Sequence, residues 1–302
     1  MLERPTLHAL ALFAAVVEHG TMTAAAEAVG ISQPAISVQV QALQRYYGTP
    51  LLTRAGRGVV PTDAGRLVAT YAQRVLRLVD ELGRTVADLE GLATGRLVIG
   101  ASSTVGEQLL PAYLGRFHAA HPGVELEVRI GNTNEITSLV VARALDFAFV
   151  GQQPSDPKLV ADPVFSDKVV AFVAPGDLLL RERRLVAASL TGRQFVLRER
   201  GSATRDLALR CLRDADCAPG HIIELGSNEA VKRAVEAGLG IGLLSTHAIG
   251  AERQAGMLKD LPLEGWACHR SFWLIRRLDR SFTRPERAFL ALLPHAHRAE
   301  RQ

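Results

Sequence analysis

Two glycines, Gly20 and Gly30, divide the N-terminal region into three short helical patterns, and this spacing constrains the fold more than any other feature. The first pattern has apolar residues at helical spacing and ends at Gly20, as a helix with a glycine C-cap does. The second is a short alanine-rich segment between Thr21 and Gly30, and its small side chains let another helix approach closely. A helix, a tight glycine turn and a further helix form the helix-turn-helix pattern.

The third helix has one face suited to reading DNA. Ile36, Val40 and Leu43 form its inward stripe, whereas the opposite face is small or amide-bearing and uncharged. An ordinary solvated helix face normally carries Glu and Lys instead. Small and amide side chains can enter a major groove, where Gln suits adenine and apolar groups suit the thymine methyl. The predicted DNA-binding residues on the second and third helices are Thr23, Ser32, Gln33, Pro34, Ser37, Val38 and Gln41.

The segment LLTRAGRGVVPT has two short apolar runs around a glycine-rich turn, which predicts a β-hairpin wing. Arg54 and Arg57 would then lie over the phosphate backbone, although an ordinary surface hairpin has a similar pattern. Charge favours the DNA interpretation, because no acidic residue lies between Glu27 and Asp63. The net charge of +4 adds nothing to this, since the basic excess lies at the C-terminal end.

The stretch AAAEAVGISQPAISVQVQALQRYYGTPLLTRAGRGVVPTDAG resembles the N-terminal domain of LysR-type transcriptional regulators. The order of AAA, SQPAIS, the LL-x-R turn and PT-x-AG carries the resemblance. It implies a winged helix-turn-helix domain and a sequence-specific transcriptional regulator that binds double-stranded DNA; such a regulator is also expected to contact RNA polymerase. The chain departs from the family in having Val38 at a commonly basic position, Gln44 in place of Glu and Leu52 in place of Phe.

A long helix is predicted from Thr62 to about Leu92, with a heptad-like apolar seam. A helix that packs only on its own domain would also show a stripe, but thirty or so residues are long for that and favour dimerisation. The resemblance likewise implies a linker and dimer contact, so we expect a dimer or tetramer to form through residues 63–92. The seam consists of Leu67, Tyr71, Val75, Leu78, Leu82, Val86 and Leu89.

Strand and helix patterns alternate through the rest of the chain, which predicts an α/β fold with a mostly parallel sheet. The resemblance covers this part too and implies a two-lobed, periplasmic-binding-protein-like domain with Rossmann-like lobes. We expect its two crossovers near Pro163 and Pro262. The predicted domains are the winged helix-turn-helix domain at 1–62, the linker helix at 63–92 and the effector-binding domain at 93–302, with lobe I at 93–163 and 263–302 and lobe II at 164–262.

Hydroxyl, amide and glycine residues follow several predicted strands at their carboxyl ends, where helix N-termini offer N–H groups to an anion. A lone Ser or Thr after a strand is ordinarily an N-cap, but several at one cleft favour a ligand site. The predicted effector-binding residues are Ser102, Ser103, Thr104, Asn132, Gln152, Arg198, Ser202, Thr204, Arg205 and Ser227.

The segment LRERGSATR gives the strongest of these signals, because Arg198, Arg200 and Arg205 bracket Ser202 and Thr204 at a predicted helix start. It resembles the GSGTR-type anion loop of the branch whose members are similar to regulators of Calvin-cycle and sulfur-assimilation genes, with Ala203 in place of a glycine. We therefore expect a small anionic metabolite between the two lobes; a structural capping loop with solvated arginines is the alternative.

Three other classes of function have weaker support in the sequence. The three cysteines are too few for a disulfide framework and indicate neither a disulfide nor a metal site, but a thiol-based redox-sensing regulator using Cys211 and Cys217 is an alternative. A solute-binding protein would lack the N-terminal region and need an export signal. The sequence has no nucleophile elbow, metal motif or phosphate loop, so we expect no enzyme, no catalytic residue and no cofactor. It also has no apolar run long enough to span a membrane, so we expect a cytoplasmic protein.

Overall fold

The computed structural model describes residues 4–56, 58–87 and 95–294. The chain divides into two compact units, Met1–Leu89 and Glu90–Gln302, each with its own apolar core. In the described part of the chain, no helix has the length and apolarity needed to cross a membrane.

The first unit is a three-helix domain with a β-hairpin, as the glycine spacing predicts. Thr6 and Thr21 cap the first two helices with their hydroxyl groups, and Gly20 and Gly30 end them in the left-handed conformation, with φ of 71° and 74°. The elements are α1 (Leu7–His19), α2 (Met22–Val29), α3 (Gln33–Tyr47), β1 (Leu52–Ala55), β2 (Gly58–Pro61) and α4 (Asp63–Ala87).

Helix α4 has two faces of different character. Gly65, Ala69 and Ala72 are buried on the face that packs against α1. The predicted seam is on the outside, where Leu67 is 60% exposed and Leu82 is 63% exposed. The described side chains of the seam therefore lie outside the apolar core of the first unit. The side chains of Val86 and Leu89 lie outside the described part.

The second unit contains one mixed sheet flanked by helices. Its strands run in the order β4, β3, β5, β13, β6, β10, β8, β9, with β11 also paired to β6 and a separate β7–β12 pair. The strands are β3 (Gly95–Ser102), β4 (Val124–Gly131), β5 (Phe147–Val150), β6 (Leu159–Val173), β7 (Leu185–Val186), β8 (Gln194–Arg198), β9 (His221–Leu225), β10 (Ile241–Ser245), β11 (Lys259–Asp260), β12 (Leu263–Glu264) and β13 (His269–Arg277). The helices are α5 (Leu110–Ala120, preceded by a π-helical turn, Val105–Leu109), α6 (Thr133–Val141), α7 (Ala203–Asp214), α8 (Asn228–Glu236), α9 (Gly250–Gln254) and α10 (Arg284–Leu290).

Two lobes are visible as separate cores within this unit. Lobe I packs β3, β4 and β5 with α5, α6 and α10, whereas lobe II packs β8, β9 and β10 with α7 and α8. Pairing is parallel among the strands within each lobe, but the long strands β6 and β13 are antiparallel to each other and to their other neighbours. The predicted α/β class is confirmed, with a mixed sheet in place of a mostly parallel one.

The crossovers lie on β6 and β13, and one differs from the prediction. On β6 the chain passes from the core of lobe I at Phe165 to that of lobe II at Val169, close to the expected Pro163. The second crossover is not at Pro262, because the chain beyond it remains in lobe II until Cys268, which is fully buried in that core. Pro262 lies between the short strands β11 and β12, and both strands precede the change of lobe.

The prediction of unpaired cysteines is wrong for two of the three residues. Cys211 on α7 and Cys268 before β13 form a disulfide with a Cα–Cα distance of 5.8 Å. Cys217, the partner considered from the sequence, is a buried free thiol. Cys211 and Cys217 are close in the sequence, whereas Cys211 and Cys268, which form the bond, are 57 residues apart.

Gly65 on α4 is required by close backbone packing. A Cβ added to it would lie 1.9 Å from the carbonyl oxygen of Leu51, whereas one added to Gly83 on the same helix would meet nothing within 4 Å. We expect Gly65→Ala to lower the free energy of unfolding of the first unit by about 3 kcal/mol through overpacking. Gly83→Ala, the matched control, should raise it by about 0.5–1 kcal/mol. Denaturant unfolding followed by circular dichroism measures both, and equal effects would contradict the packing.

Candidate functional site

The outward face of α3 presents the side chains that the sequence analysis predicted to read DNA. Ser32, Gln33, Pro34 and Gln41 are exposed, and Val38 is 57% exposed. Ser32 is at the N-cap position, but its hydroxyl makes no capping hydrogen bond. The first turn of α3 therefore presents free polar groups at the helix N-terminus, as an element that enters a major groove does.

The remaining predicted DNA contacts lie around this face. Ser37 is partly buried, and Thr23 is exposed on α2. Arg54 is exposed on β1, opposite Val59 of β2, and Arg57 lies outside the described residues. Gln44 has a structural role, because its Oε1 accepts hydrogen bonds from the N–H groups of Leu51 and Leu52 at 2.8 and 3.4 Å.

A small polar cavity of about 10 Å³ lies between the two lobes of the second unit. Seven of the ten predicted effector-binding residues line it, from the end of β3, the start of α6, the end of β8 and the start of α7. They are Ser102, Ser103, Thr104, Asn132, Arg198, Ser202 and Thr204. Thr133, Gly151, Ala203, Arg270 and Phe272 complete the lining.

Arg198 connects the two lobes. Its Nη2 donates to Ser103 Oγ of lobe I at 3.1 Å, and its Nη1 donates to Asn228 Oδ1 of lobe II at 2.6 Å. Glu199 accepts two further hydrogen bonds from the same guanidinium, at 2.7 and 2.9 Å. All three guanidinium nitrogens thus have partners, and the Arg198 side chain is only 3% exposed.

Arg270 is on β13 at the second crossover and is paired in register with Asp167 on β6. Its Nε donates to Asp167 Oδ2 at 2.8 Å, with the two side chains 7% and 0% exposed. The other carboxylate oxygen accepts from Ser245 Oγ at 2.7 Å. The attraction within a buried ion pair offsets the cost of desolvation only where hydrogen bonds satisfy its remaining polar atoms. Asp167 meets this condition and Arg270 does not, because its Nη2 is buried without a hydrogen-bond partner.

The electrostatics of Arg270 favour an additional negative charge. Burial lowers the pKa of its guanidinium, opposed by the nearby Asp167 carboxylate, and the positive charge of Arg198 lowers it further. Arginine nevertheless stays protonated in proteins. Ser102 Oγ, which lines the same cavity, is also buried without a partner. An anion at this point would accept hydrogen bonds from both groups and reduce the repulsion between the two guanidinium ions.

Direct hydrogen bonds across the cleft keep the cavity small. Besides the bond from Arg198 to Ser103, Asn228 Nδ2 donates to Glu107 Oε2 at 3.1 Å and the Asn134 N–H donates to the Gly201 carbonyl at 3.2 Å. A cavity of this size holds about one water molecule. A metabolite can therefore enter only if the lobes separate and some of these bonds are exchanged for bonds to the ligand.

Three predicted effector-binding residues do not line the cavity, and a fourth, Asn132, lines it but also has a second role. Arg205 Nη1 donates to the Arg198 carbonyl at 2.9 Å and pairs with Glu224, and Ser227 caps α8. Gln152 is exposed and lines a separate groove of about 470 Å³ between α6 and the segment after β5. Asn132 lines the cavity but also caps α6 in a capping box with Glu135.

Sequence reasoning missed Arg270, Asp167 and Asn228. Arg270 and Asp167 lie within apolar strand patterns in which a charged residue would be expected to face solvent, and nothing in the sequence links them. Asn228 directly follows Ser227, and its 1% exposure shows that the amide, not the hydroxyl, is the buried group at this junction. One pattern in the sequence points to a buried Arg270. Side chains alternate along a strand, so the sequence of β13 would place Arg270 on the same face as the buried Phe272 and Leu274.

A winged helix-turn-helix unit followed by a two-lobed domain with a polar cleft defines a DNA-binding regulator with a small-molecule receptor domain. A protein-family model for the bacterial regulatory helix-turn-helix of the lysR family matches residues 7–66, and one for the LysR substrate binding domain matches residues 90–298. The chain belongs to the LysR family of transcriptional regulators, and it is a regulator and not an enzyme.

Similar proteins agree with this assignment. The HTH-type transcriptional regulator CbbR of Rhodospirillum rubrum is 33% identical over 97% of this chain and 97% of its own length. The RuBisCO operon transcriptional regulator of Allochromatium vinosum is 31% identical over 94% of both proteins. The resemblance to regulators of Calvin-cycle genes is therefore confirmed.

Solved structures of the family have the same fold. CbnR complexed with its target DNA has a TM-score of 0.72 at 21% identity, covering 95% of this chain and 98% of that chain. The regulatory domain of Synechocystis PCC6803 CcmR in complex with 2-PG has a TM-score of 0.61 at 25% identity, covering 66% of this chain and 95% of that chain.

Proposed function

We propose that this regulator responds to a small anion that binds between the two lobes and takes its main contacts from Arg270 and Arg198. The unpartnered Arg270 Nη2, buried beside the unpartnered Ser102 Oγ, is the observation that carries the proposal. A buried donor without an acceptor is rare in proteins, and a ligand oxygen is one group that resolves it. The 2-PG complex of the similar CcmR regulatory domain supports an anionic effector of this kind.

The anion would have to contact both lobes. Ser102, Ser103 and Thr104 come from lobe I, and Arg198, Ser202 and Thr204 come from lobe II. A ligand shifts a conformational equilibrium only by its different affinity for the two states. Contacts to both lobes and to the crossover strand β13 would provide that difference, because they change when the lobes move apart.

The N-terminal unit would bind an interrupted dyad in DNA, with α3 in the major groove and Arg54 and Arg57 on phosphates. Two copies would join through the exposed seam of α4, as a dimer or as a tetramer built from dimers. Residues 1–62 would serve DNA binding, residues 63–92 association and residues 93–302 effector binding. Contact with RNA polymerase and a cytoplasmic location are further expectations for a regulator that acts on the chromosome.

Thermal-shift measurements test the class of effector. A ligand that binds only the native protein raises the melting temperature, and the rise grows with the logarithm of the ratio of free ligand concentration to dissociation constant. We expect 2-PG, inorganic phosphate or sulfate to stabilise the protein, and cationic or purely apolar compounds to have no effect. Stabilisation by cationic or apolar compounds alone would contradict an anionic effector.

Arg270→Lys tests the proposed anion ligand. Lysine keeps the charge beside Asp167 but lacks the second, unpartnered nitrogen, so the ion pair can remain. Loss of one charge-assisted hydrogen bond, about 1.5–3 kcal/mol, should weaken the binding of the stabilising anion by roughly 10- to 150-fold in calorimetric titration.

Two further variants separate binding from folding. Ser102→Ala removes an unpartnered buried hydroxyl and should weaken the anion several-fold without lowering the melting temperature of the free protein. Arg200→Lys is the matched control, because the Arg200 side chain is 88% exposed beside the same loop, and it should leave affinity within twofold. Unchanged affinity in both Arg270→Lys and Ser102→Ala would refute the site.

Base reading and phosphate contact should separate by sequence and salt. Gln33→Ala should reduce affinity for the operator by about 1–3 kcal/mol and leave random DNA unaffected, because it removes a contact to a base edge. Arg54→Ala should weaken all sequences alike and lower the slope of log affinity against log salt by about one. Fluorescence anisotropy over a salt series measures both effects.

Gln73→Ala is the control for this comparison, since Gln73 is an exposed glutamine on α4 and is not part of the reading helix α3. It should change neither affinity nor salt slope. An equal loss on operator and random DNA for Gln33→Ala would contradict base reading by α3.

The seam of α4 is tested by oligomeric state. Leu78 is 49% exposed, so Leu78→Asp should leave the fold of the chain intact while placing a charge inside a dimer contact. We expect sedimentation velocity to show a shift toward monomer, with Gln73→Asp on the same helix remaining associated. A wild-type protein that is already monomeric at micromolar concentration would overturn the proposed dimer.

A further inference from the structure

The disulfide between Cys211 and Cys268 joins two elements that both lead into the cleft. Cys211 lies on α7, two turns after Thr204 at the start of that helix. Cys268 lies two residues before Arg270 on the crossover strand β13. The bond therefore connects the helix that presents Ser202 and Thr204 to the strand that presents Arg270.

The fold itself brings the two sulfur atoms together. Their Cα atoms are 5.8 Å apart, which is within the range in which a disulfide forms without backbone movement. Both residues also contact the apolar core of lobe II, so the same approach exists when they are thiols. Disulfides are rare in proteins that work in the reducing compartment where DNA is found, and those present are usually transient or redox-sensing.

We propose that Cys211 and Cys268 form a reversible disulfide that fixes the start of α7 relative to β13 and so links the cleft to the thiol redox state. Formation of the bond is independent of the proposed anion, whereas its effect on the affinity for the effector rests on the proposed function. Fixing these elements holds Ser202, Thr204 and Arg270 at the spacing that an anion needs, so the oxidised protein should bind the anion more tightly.

The exposure of the two residues sets the order of the chemistry. Cys211 is partly buried and Cys268 is fully buried. The Cys211 thiolate attacks a small disulfide oxidant such as oxidised glutathione, which forms a mixed disulfide and releases one thiolate. The Cys268 thiolate then attacks the Cys211 sulfur and releases the second thiolate. Two electrons pass from the protein thiols to the oxidant, two protons are lost, and a thiol reductant reverses both steps.

Cys217 provides a control within the same domain. It is 2% exposed, and burial raises the pKa of its thiol despite a hydrogen bond with Thr191, so little of it is thiolate at neutral pH. It has no sulfur partner in the structure. A Cys217→Ser variant therefore keeps the proposed pair, and a Cys211→Ala variant removes it at a partly buried position where the fold should tolerate the change.

Thiol counting tests the bond in the full-length protein. After treatment with oxidised or reduced glutathione, the protein is denatured and its free thiols are labelled with a maleimide of known mass. We expect three thiols in the reduced wild type and one after oxidation, two and none in Cys217→Ser, and two under both conditions in Cys211→Ala. Three thiols after oxidation, or loss of the bond in Cys217→Ser, would overturn the proposal.

Hydrogen–deuterium exchange tests the consequence without any ligand. Oxidation should slow exchange at least threefold in peptides covering the start of α7 and β13, in wild type and Cys217→Ser but not in Cys211→Ala. Equal exchange in both redox forms would overturn the proposed link to the cleft.

Titration with inorganic phosphate then separates the two proposals. No binding to either form contradicts the anionic effector alone, tighter binding to the oxidised form supports the redox link, and equal binding to both forms overturns its effect on the effector.

Discussion

The buried ion pair between Arg270 and Asp167 is the interaction on which the receptor domain depends. It lies where both long strands pass from one lobe to the other, and Ser245 completes the hydrogen bonds of the carboxylate. Removing one member would leave an uncompensated charge in the interior, which typically destabilises a protein by about 3–5 kcal/mol. Arg270 therefore has two roles, because it pairs β13 with β6 at the crossover and also lines the cavity with its unpartnered Nη2.

Features encoded by short-range patterns were predictable from the sequence. Caps such as Thr6 and Thr21, the glycines that end α1 and α2, and the alternation of the strands in the second unit all act over a few residues, so the fold class followed from them. The position of the second crossover did not follow. Proline marks the end of an element, whereas the change of lobe depends on which core the next apolar side chains join, and Cys268 still joins that of lobe II.

The candidate site was predictable where it lies on strand-to-helix junctions and not elsewhere. A hydroxyl or amide after a strand can cap the helix or face the cleft, and both uses have the same sequence signature. Ser102 and Ser202 line the cavity, whereas Ser227 is a cap and Asn132 is both. Two pairs come together only through tertiary contacts: Arg270 with Asp167, and Cys211 with Cys268. The partners in each pair are far apart in the sequence, so no local pattern indicates the pairing.

The pairing of β6 with β13 also determines what kind of motion the receptor domain can make. The two strands are in antiparallel register along the nine residues of β13, from His269 opposite Lys168 to Arg277 opposite Leu159. Sliding one strand past the other by one residue would break this ladder and turn every side chain of that strand to the opposite face. Twisting and bending of a two-stranded ribbon preserve the hydrogen bonds. A rotation about this ribbon is thus the lobe movement that would keep the ladder intact, and the bulge between Phe272 and Trp273 is where the pairing of the two strands is least regular.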